Sequence, residues 1–429
     1  MAAATTAITT GATDLVKLGR KVQGPLMVGF AAECPEYGFH TKLKKFKLAA
    51  SQREVTAPIQ IKRSAGLGST VVEGSYESRK YTPAPAELTF TFVHRHYGYS
   101  FSRTTELLGA SQGEKAYIFD QMKFQARVIK EAMKENFAFQ TYGYSTGYVC
   151  QTSTNATQSS GTYTLINAYG ESDLDNTTFV AQPFQVNSWV ALIRAGALVT
   201  NAIGIVTAVG TGTIDVTWNG SVNSDANDYV VFANSLENTT IAGTDYNKAS
   251  IGFLDAVNTA SVHGLSSATE PLWNASLADT SGGRFGFVKL RRGQNAIKNK
   301  GGGEADKFLV AQAVEADITD MLQSAVRYNN TMALQLDGAT QIKGLEFQST
   351  RHTPNSRAWL YDSDSLKLWE PAGQMPDESG VLPDSNNSLV ITDKLQDISG
   401  KSVGVDYIFG RVFENRGNFA YFSGLTEAY

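Results

Sequence analysis

Residues 114–139, EKAYIFDQMKFQARVIKEAMKENFAF, carry the longest helical signal in the chain. The stretch has neither Gly nor Pro and is filled with Ala, Gln, Met, Lys, Glu and Arg, all good helix formers. Phe119, Met122, Ala126, Ile129, Met133 and Phe137 recur at spacings of 3, 4, 3, 4 and 4. They therefore share one face of a 3.6-residue helix, the expected core face. Lys123, Arg127, Lys130, Glu131, Lys134 and Glu135 fall mostly off that stripe. Ser111 is placed to cap the start, with Glu114 as its return partner in a capping box. At about 1.5 Å rise per residue the helix would be roughly 40 Å long. The glycines of QTYGYSTG at 140–147 end it. An ordinary amphipathic core helix explains the stripe on its own. Ile129→Asp would then place an unpaired charge in the core and lower stability by several kcal/mol.

Upstream lies β material around a long loop. Glu54–Arg63 (EVTAPIQIKR) reads as extended, Gly66-Leu-Gly-Ser as a turn, and Thr70–Tyr81 as a second polar segment. Glu87–Phe101 (ELTFTFVHRHYGYSF) alternates, with Leu88, Phe90 and Phe92 opposite Thr89, Thr91 and Val93. The ribbon has little apolar surface to bury against its own body, so a partner subunit is its natural cover. Residues 1–50 read as an arm, small and polar at first, with a basic run KLKKFK at 42–47 that suits a solvated face. The first residues lack a basic segment followed by an apolar block, the pattern of a signal peptide.

Downstream, residues 151–243 lose charge and gain Thr, Ser, Asn and Gly. Strands are expected at Trp189–Ile193, Ile203–Val209, Thr213–Trp218 and Tyr229–Phe232, with a Gly-Thr-Gly turn joining the middle two. Residues 160–235 thus read as a small all-β insertion, barrel-like or sandwich-like. Asn247–Asn258 is weakly helical, and Val262-His-Gly-Leu-Ser is a turn. A basic helix at 284–300, a buried strand at Lys307–Ala311 and an amphipathic helix at Glu315–Arg327 follow. Strands at Leu345–Gln348, Arg357–Tyr361 and Leu366–Trp369 complete an α+β module. Residues 371–399 are loop-like, and Asp406–Ala420 reads as a closing strand pair around Asn415-Arg-Gly-Asn.

The bulk properties bound the function. A length of 429 residues suggests two to three domains. Apolar residues at 42% and charged residues at 18% are globular values. A net charge of −4 gives no electrostatic case for tight nucleic-acid or membrane binding by the whole chain. No run of 18 apolar residues occurs, so no membrane-spanning helix is expected. Cys34 and Cys150 are too few for a disulfide scaffold or a zinc site and read as buried thiols. No phosphate-binding loop, dinucleotide fingerprint, HExxH or GxSxG occurs. His94 and His96 share one face of a strand, but no third metal ligand can be named. No catalytic residue, cofactor site or metal site is therefore assigned, and the expectation is a non-enzyme.

Two stretches resemble a known family. Residues 253–275, FLDAVNTASVHGLSSATEPLWNA, are similar to a pattern in which a helix ends in an Asp/Asn turn followed by "hGhsRaTyPxWnA". Ser267 and Glu270 stand where Arg and Tyr are more usual. Within 304–370, EADKFLVA, KGLEF and WLYDSDSLKLW resemble, in order, three strands of the same family. That family is the major capsid proteins of tailed bacteriophages, the Hong-Kong-97-type capsid fold. The resemblance implies an α+β fold with an N-terminal arm (1–50), an extended loop with flanking peripheral strands (51–104) and a spine helix (105–150). The β-rich insertion (151–243), an axial domain (244–370) and peripheral return strands (371–429) complete it. It implies a virion protein, assembled in the host cytoplasm, that forms hexamers and pentamers of an icosahedral shell around double-stranded DNA. Portal, scaffolding or decoration proteins would be partners, and no membrane would be. Lys62, Arg63, Glu73, Arg79 and Lys80 on the ribbon become candidate assembly residues. The basic runs at 42–47 and 289–300 become candidate contacts to packaged DNA or to an acidic neighbour. Deleting 56–84 is expected to leave a folded monomer that cannot form shells. Two alternatives stand beside this reading: a surface adhesin-like β protein, which predicts a secretory leader, and an enzyme, which predicts a cluster of titratable groups.

Overall fold

The computed structural model describes residues 45–48, 54–59, 86–91, 93–102, 135–172, 174, 177–233, 249–312, 314–318, 340–342, 345–349, 352–371, 390–394 and 400–426. The first strands are β1 (Lys45–Leu48), β2 (Glu54–Ile59), β3 (Ala86–Thr91) and β4 (Val93–Ser102). Of the basic run at 42–47, residues 45–47 are thus part of a strand rather than of a free arm. The alternating stretch 87–101 is divided between β3 and β4, which serve different sheets: β3 pairs with β2, and β4 pairs with a strand near the C-terminus.

Helix α1 is described over 135–142. Of the predicted core stripe, Phe137 lies within it and is buried in the main core. Phe119, Met122, Ala126, Ile129 and Met133 fall outside the described residues. Gly143 ends the helix where a side chain would strike the Tyr169 ring, since an added Cβ would sit 2.8 Å from it.

The insertion closes on itself. Strands β5 (Cys150–Thr152), β6 (Ala156–Ile166), β7 (Trp189–Arg194), β8 (Ala197–Gly210), β9 (Thr213–Ser224) and β10 (Tyr229–Phe232) form a barrel in the order β10-β5-β6-β9-β8-β7. A short helix α2 (Thr177–Ala181) packs against it. Alternation along the strands aims Tyr163, Leu165, Val190, Leu192, Val206, Ile214, Val216 and Trp218 into the core. Inside, the Trp218 indole donates to the Tyr163 hydroxyl at 2.8 Å, with the rings edge to face. Closure removes the free edges a polar insertion would otherwise expose. At the barrel end Arg194 grips buried Asp228 through two 2.8 Å bonds.

The remaining elements build two larger sheets and one two-stranded hairpin. After α3 (Phe253–Asn258) come the two-residue strands β11 (Ser261–Val262) and β12 (Leu265–Ser266), then β13 (Leu277–Asp279), α4 (Phe287–Lys300) and β14 (Lys307–Val310). A helix follows over 314–318. Strands β15 (Thr340–Ile342), β16 (Leu345–Ser349), β17 (Ala358–Tyr361), β18 (Leu366–Pro371), β19 (Val390–Lys394), β20 (Gly400–Phe413) and β21 (Phe419–Phe422) complete the order. One sheet runs β13-β21-β17-β14-β16-β15, and α4 lies on it through Leu290, Gly293 and Ile297. The other runs β1-β18-β20-β19, with β4 also on β20.

The expected closing strand pair is corrected here. Strands β20 and β21 do not pair with each other: a 3₁₀ turn at Arg416–Asn418 redirects the chain, and each strand enters a different sheet. Sheet membership also crosses the boundary placed at residues 370 and 371. Strand β18 joins the sheet of β1, β19 and β20, whereas β21 returns to the sheet of β13, β14 and β17.

Candidate assembly site and its anchor

The ribbon starts from the β2–β3 pair, whose last register is Ile59 with Ala86. The chain between these two residues, with Lys62, Arg63, Glu73, Arg79 and Lys80, lies outside the described residues. The structure does describe how its root is held. Leu88 of β3 is buried against Trp273 and Val412, with Ile59 and Leu265 packed beside them. The amide of Thr89 donates to the His263 carbonyl at 2.9 Å. The platform under the root is therefore the second half of the stretch singled out in the sequence, 253–275.

That platform is a tight local build. His263 and Gly264, with φ of 54° and 78°, form the two-residue turn between β11 and β12. Left-handed φ at both central positions is what such a hairpin needs, and His tolerates it better than most side chains. The Trp273 indole donates to the Val262 carbonyl at 3.2 Å, fixing the large ring under the turn. Ser267 and Glu270 serve through their amides, which donate to Ala260 and Ser266 at 2.8 and 2.9 Å.

Two arginines that the sequence reading left in the final strands turn out to be central. Arg411 and Arg416 are 2% and 0% exposed. Arg411 donates to the carbonyls of Phe137 and Gln140 at 3.0 Å each, the last turn of α1, and its guanidinium lies 4.5 Å from the Phe137 ring. Arg416 donates to Ala256 at 2.9 Å and Thr259 at 2.8 Å, at the end of α3. A cation over a helix C-terminus satisfies orphan carbonyls and complements the dipole. Burial pulls the Arg416 pKa down to about 10, against the pull of nearby Asp255. Asp255 is buried at the start of α3. It accepts from the amides of Gly252 at 3.2 Å and Ser145 at 2.5 Å, and burial raises its pKa.

The other predicted features place as follows. Cys150 is buried, and burial pushes its thiol well above the usual range, whereas Cys34 lies outside the described residues. His94 and His96 sit on β4 opposite Ile408 and Asp406. Among the described residues no group of three or more His, Cys, Asp or Glu could hold a metal ion, and no helix is long and apolar enough to cross a membrane. The basic helix α4 spends most of its charge on its own chain. Lys289 and Lys300 donate to the carbonyls of Gly282 and Ala275. Arg292 pairs with Asp279 at 3.2 Å, and Lys298 with Glu304 at 3.0 Å.

No protein-family description matches the chain, and no curated protein matches it. Solved structures do. A capsid subunit of cyanophage A-1(L) is 11% identical, with 95% of this chain and 97% of that one covered and a TM-score of 0.52. The capsid of a native GTA particle is 9% identical over 95% of this chain and 97% of that one, with a TM-score of 0.46. The SrpI encapsulin of Synechococcus elongatus PCC 7942 is 11% identical over 96% and 95%, with a TM-score of 0.45. At 11% identity the first of these speaks for fold alone, and on that ground the chain has the Hong-Kong-97-type capsid fold of tailed-phage capsid proteins.

Proposed function

We propose that this chain is the major capsid protein of a tailed phage, assembling into hexamers and pentamers of an icosahedral shell around double-stranded DNA. One observation carries the reading: the fold likeness spans 95% of this chain and 97% of a phage capsid subunit, so the whole architecture agrees and not one shared module. The ribbon supports it. Its root is built into the body by Leu88 and Thr89, while the 26 residues from 60 to 85 are polar and interrupted by Gly and Pro. Such a segment suits cover by a neighbouring copy, with Lys62, Arg63, Glu73, Arg79 and Lys80 as the charged contacts. Individually weak contacts of this kind become strong when one shell makes many of them. Heterologous contacts that close give rings of five and six.

Packaged DNA would meet the inner face through backbone charge without sequence specificity. The internal pairing of Lys289, Arg292, Lys298 and Lys300 leaves α4 a weaker candidate for that contact than its composition suggests. Portal, scaffolding and decoration proteins are the remaining partners of this reading.

The test is negative-stain electron microscopy of the purified protein with sedimentation beside it. Closed shells, or rings of five or six, are the expected result. A species that stays monomeric across salt and concentration moves the weight to the enzyme and adhesin alternatives, which a ligand-binding screen then separates.

A further inference from the structure

We propose that His263 is an acid-released latch on the root of the ribbon, holding β3 to the end of β20 while its imidazole is neutral and letting go when the ring takes a proton. The inference concerns contacts within one chain and stands whether or not the chain builds shells.

The geometry makes one residue the bridge between two strands. The His263 carbonyl accepts from the Thr89 amide of β3 at 2.9 Å. Its Nε2 accepts from the Phe413 amide of β20 at 3.1 Å. An Nε2 that accepts is unprotonated, so the ring's hydrogen sits on Nδ1. The residue is 5% exposed and holds a left-handed backbone at φ 54°. A ring this buried reaches water only when the elements packed over it part, and Thr89, held by the carbonyl and set beside the ring, is among them.

A proton on Nε2 would set two donors face to face. The charged group acting on the ring is Arg416, from the turn after β20, and it adds repulsion. The other charges on the elements around His263 have partners of their own. Asp255 of α3 accepts from Gly252, Ser145 and Thr259. Arg411 of β20 points to the α1 carbonyls, and Glu414 pairs with Lys367. Glu87 of β3 is exposed. Burial, against the upward pull of the Thr89 backbone and with Arg416 beside it, holds the imidazole down to about 3. A ring released to water would titrate near its ordinary value of about 6.5. The sign follows. Above about 6.5 neither form binds the proton, and the latch stays shut. As pH falls from there towards 3 the open form alone binds it, so the open fraction rises by up to about tenfold per pH unit.

Hydrogen exchange of the full chain, corrected for the intrinsic effect of pH, reads this directly. Protection of the Thr89 and Phe413 amides is expected to fall by up to about tenfold per unit below about pH 6.5, while that of barrel strand β9 holds. In His263→Gln, whose Oε1 accepts at every pH, the same amides should show no such fall. Protection that is flat in the native chain, or falls equally in the variant, or falls in the barrel in step, overturns the latch. Should the variant fail to fold, ¹⁵N spectra of the native histidines decide. A neutral Nδ1–H ring at about pH 5 is expected. An imidazolium there with Thr89 still protected overturns the proposal.

Discussion

Arg411 shows how much a single side chain does here. It reaches from β20 to the carbonyls of Phe137 and Gln140, and its guanidinium stacks over the Phe137 ring. Arg411→Met keeps the bulk and removes the donors: the Gln140 carbonyl loses its arginine partner, whereas that of Phe137 keeps the Thr141 hydroxyl at 2.9 Å. A carbonyl left buried without a donor costs about 1–3 kcal/mol. The variant is expected to lose about 1–3 kcal/mol in urea unfolding, with an unchanged slope. Arg416→Met should behave alike at the end of α3. Cys150 gives a second check at this scale. Buried in the core with its thiol held high, it should resist a thiol reagent in the native chain and react only as fast as the barrel opens. The buried thiol of Cys150 was expected from the sequence, but the roles of the two arginines could not be read in advance. An arginine in a β stretch and one in an Asn-Arg-Gly-Asn turn look like surface charges, and helix ends announce that carbonyls need donors without saying which distant residue supplies them.

At the scale of elements, the local signals were readable and the pairings were not. Period-two alternation and the turn at Gly210-Thr-Gly212 marked β8 and β9, which do pair across that turn. The contact that closes the barrel joins β5 to β10 across some eighty residues, and no local pattern encodes it. The same limit explains the last two strands: a turn signal at 415–418 predicts that the chain bends, not which sheet each side joins. Helix α4 offers a packing test. A Cβ on Gly293 would sit 2.9 Å from the Phe422 ring and 3.0 Å from Leu360. Gly293→Val is therefore expected to lose about 1–3 kcal/mol of stability in chemical denaturation through overpacking. The ribbon offers an assembly test. Deleting 56–84 would also remove most of β2, so the cleaner cut is 60–85, closing Ile59 to Ala86 with a short turn. Thermal melting should be little changed and shells should be lost. Normal particles would show that the ribbon is not an assembly element.

Across the whole molecule, three separate structures meet at one corner. Between residues 411 and 416 the chain caps α1, receives the latch of His263 and caps α3. The corner is thus part of the main body of the fold, where α1, α3 and the β11–β12 turn converge on one short run of chain. The motif at 253–275 was legible as a resemblance. Its physical task, to seat the ribbon root under Leu88 and Thr89, appeared only when β3 and β20 were brought to it.

The place of β21 has a consequence for how the protein is made. This strand stands between β13 and β17, inside its sheet, yet it is the last strand of the described chain. Strand β17 ends at Tyr361 and β21 begins at Phe419, so 57 residues must be synthesised between the two neighbours. At about 5–20 residues per second a ribosome takes roughly 3–11 seconds over them. Throughout that interval β17 and β13 wait with open edges, and the corner that ties the molecule together has not yet emerged. A polypeptide released early, for instance by a stop codon after Glu414, should thus be recovered from the pellet as misfolded protein and never in a particle. Synthesis of β21 becomes the step on which closure of this sheet waits.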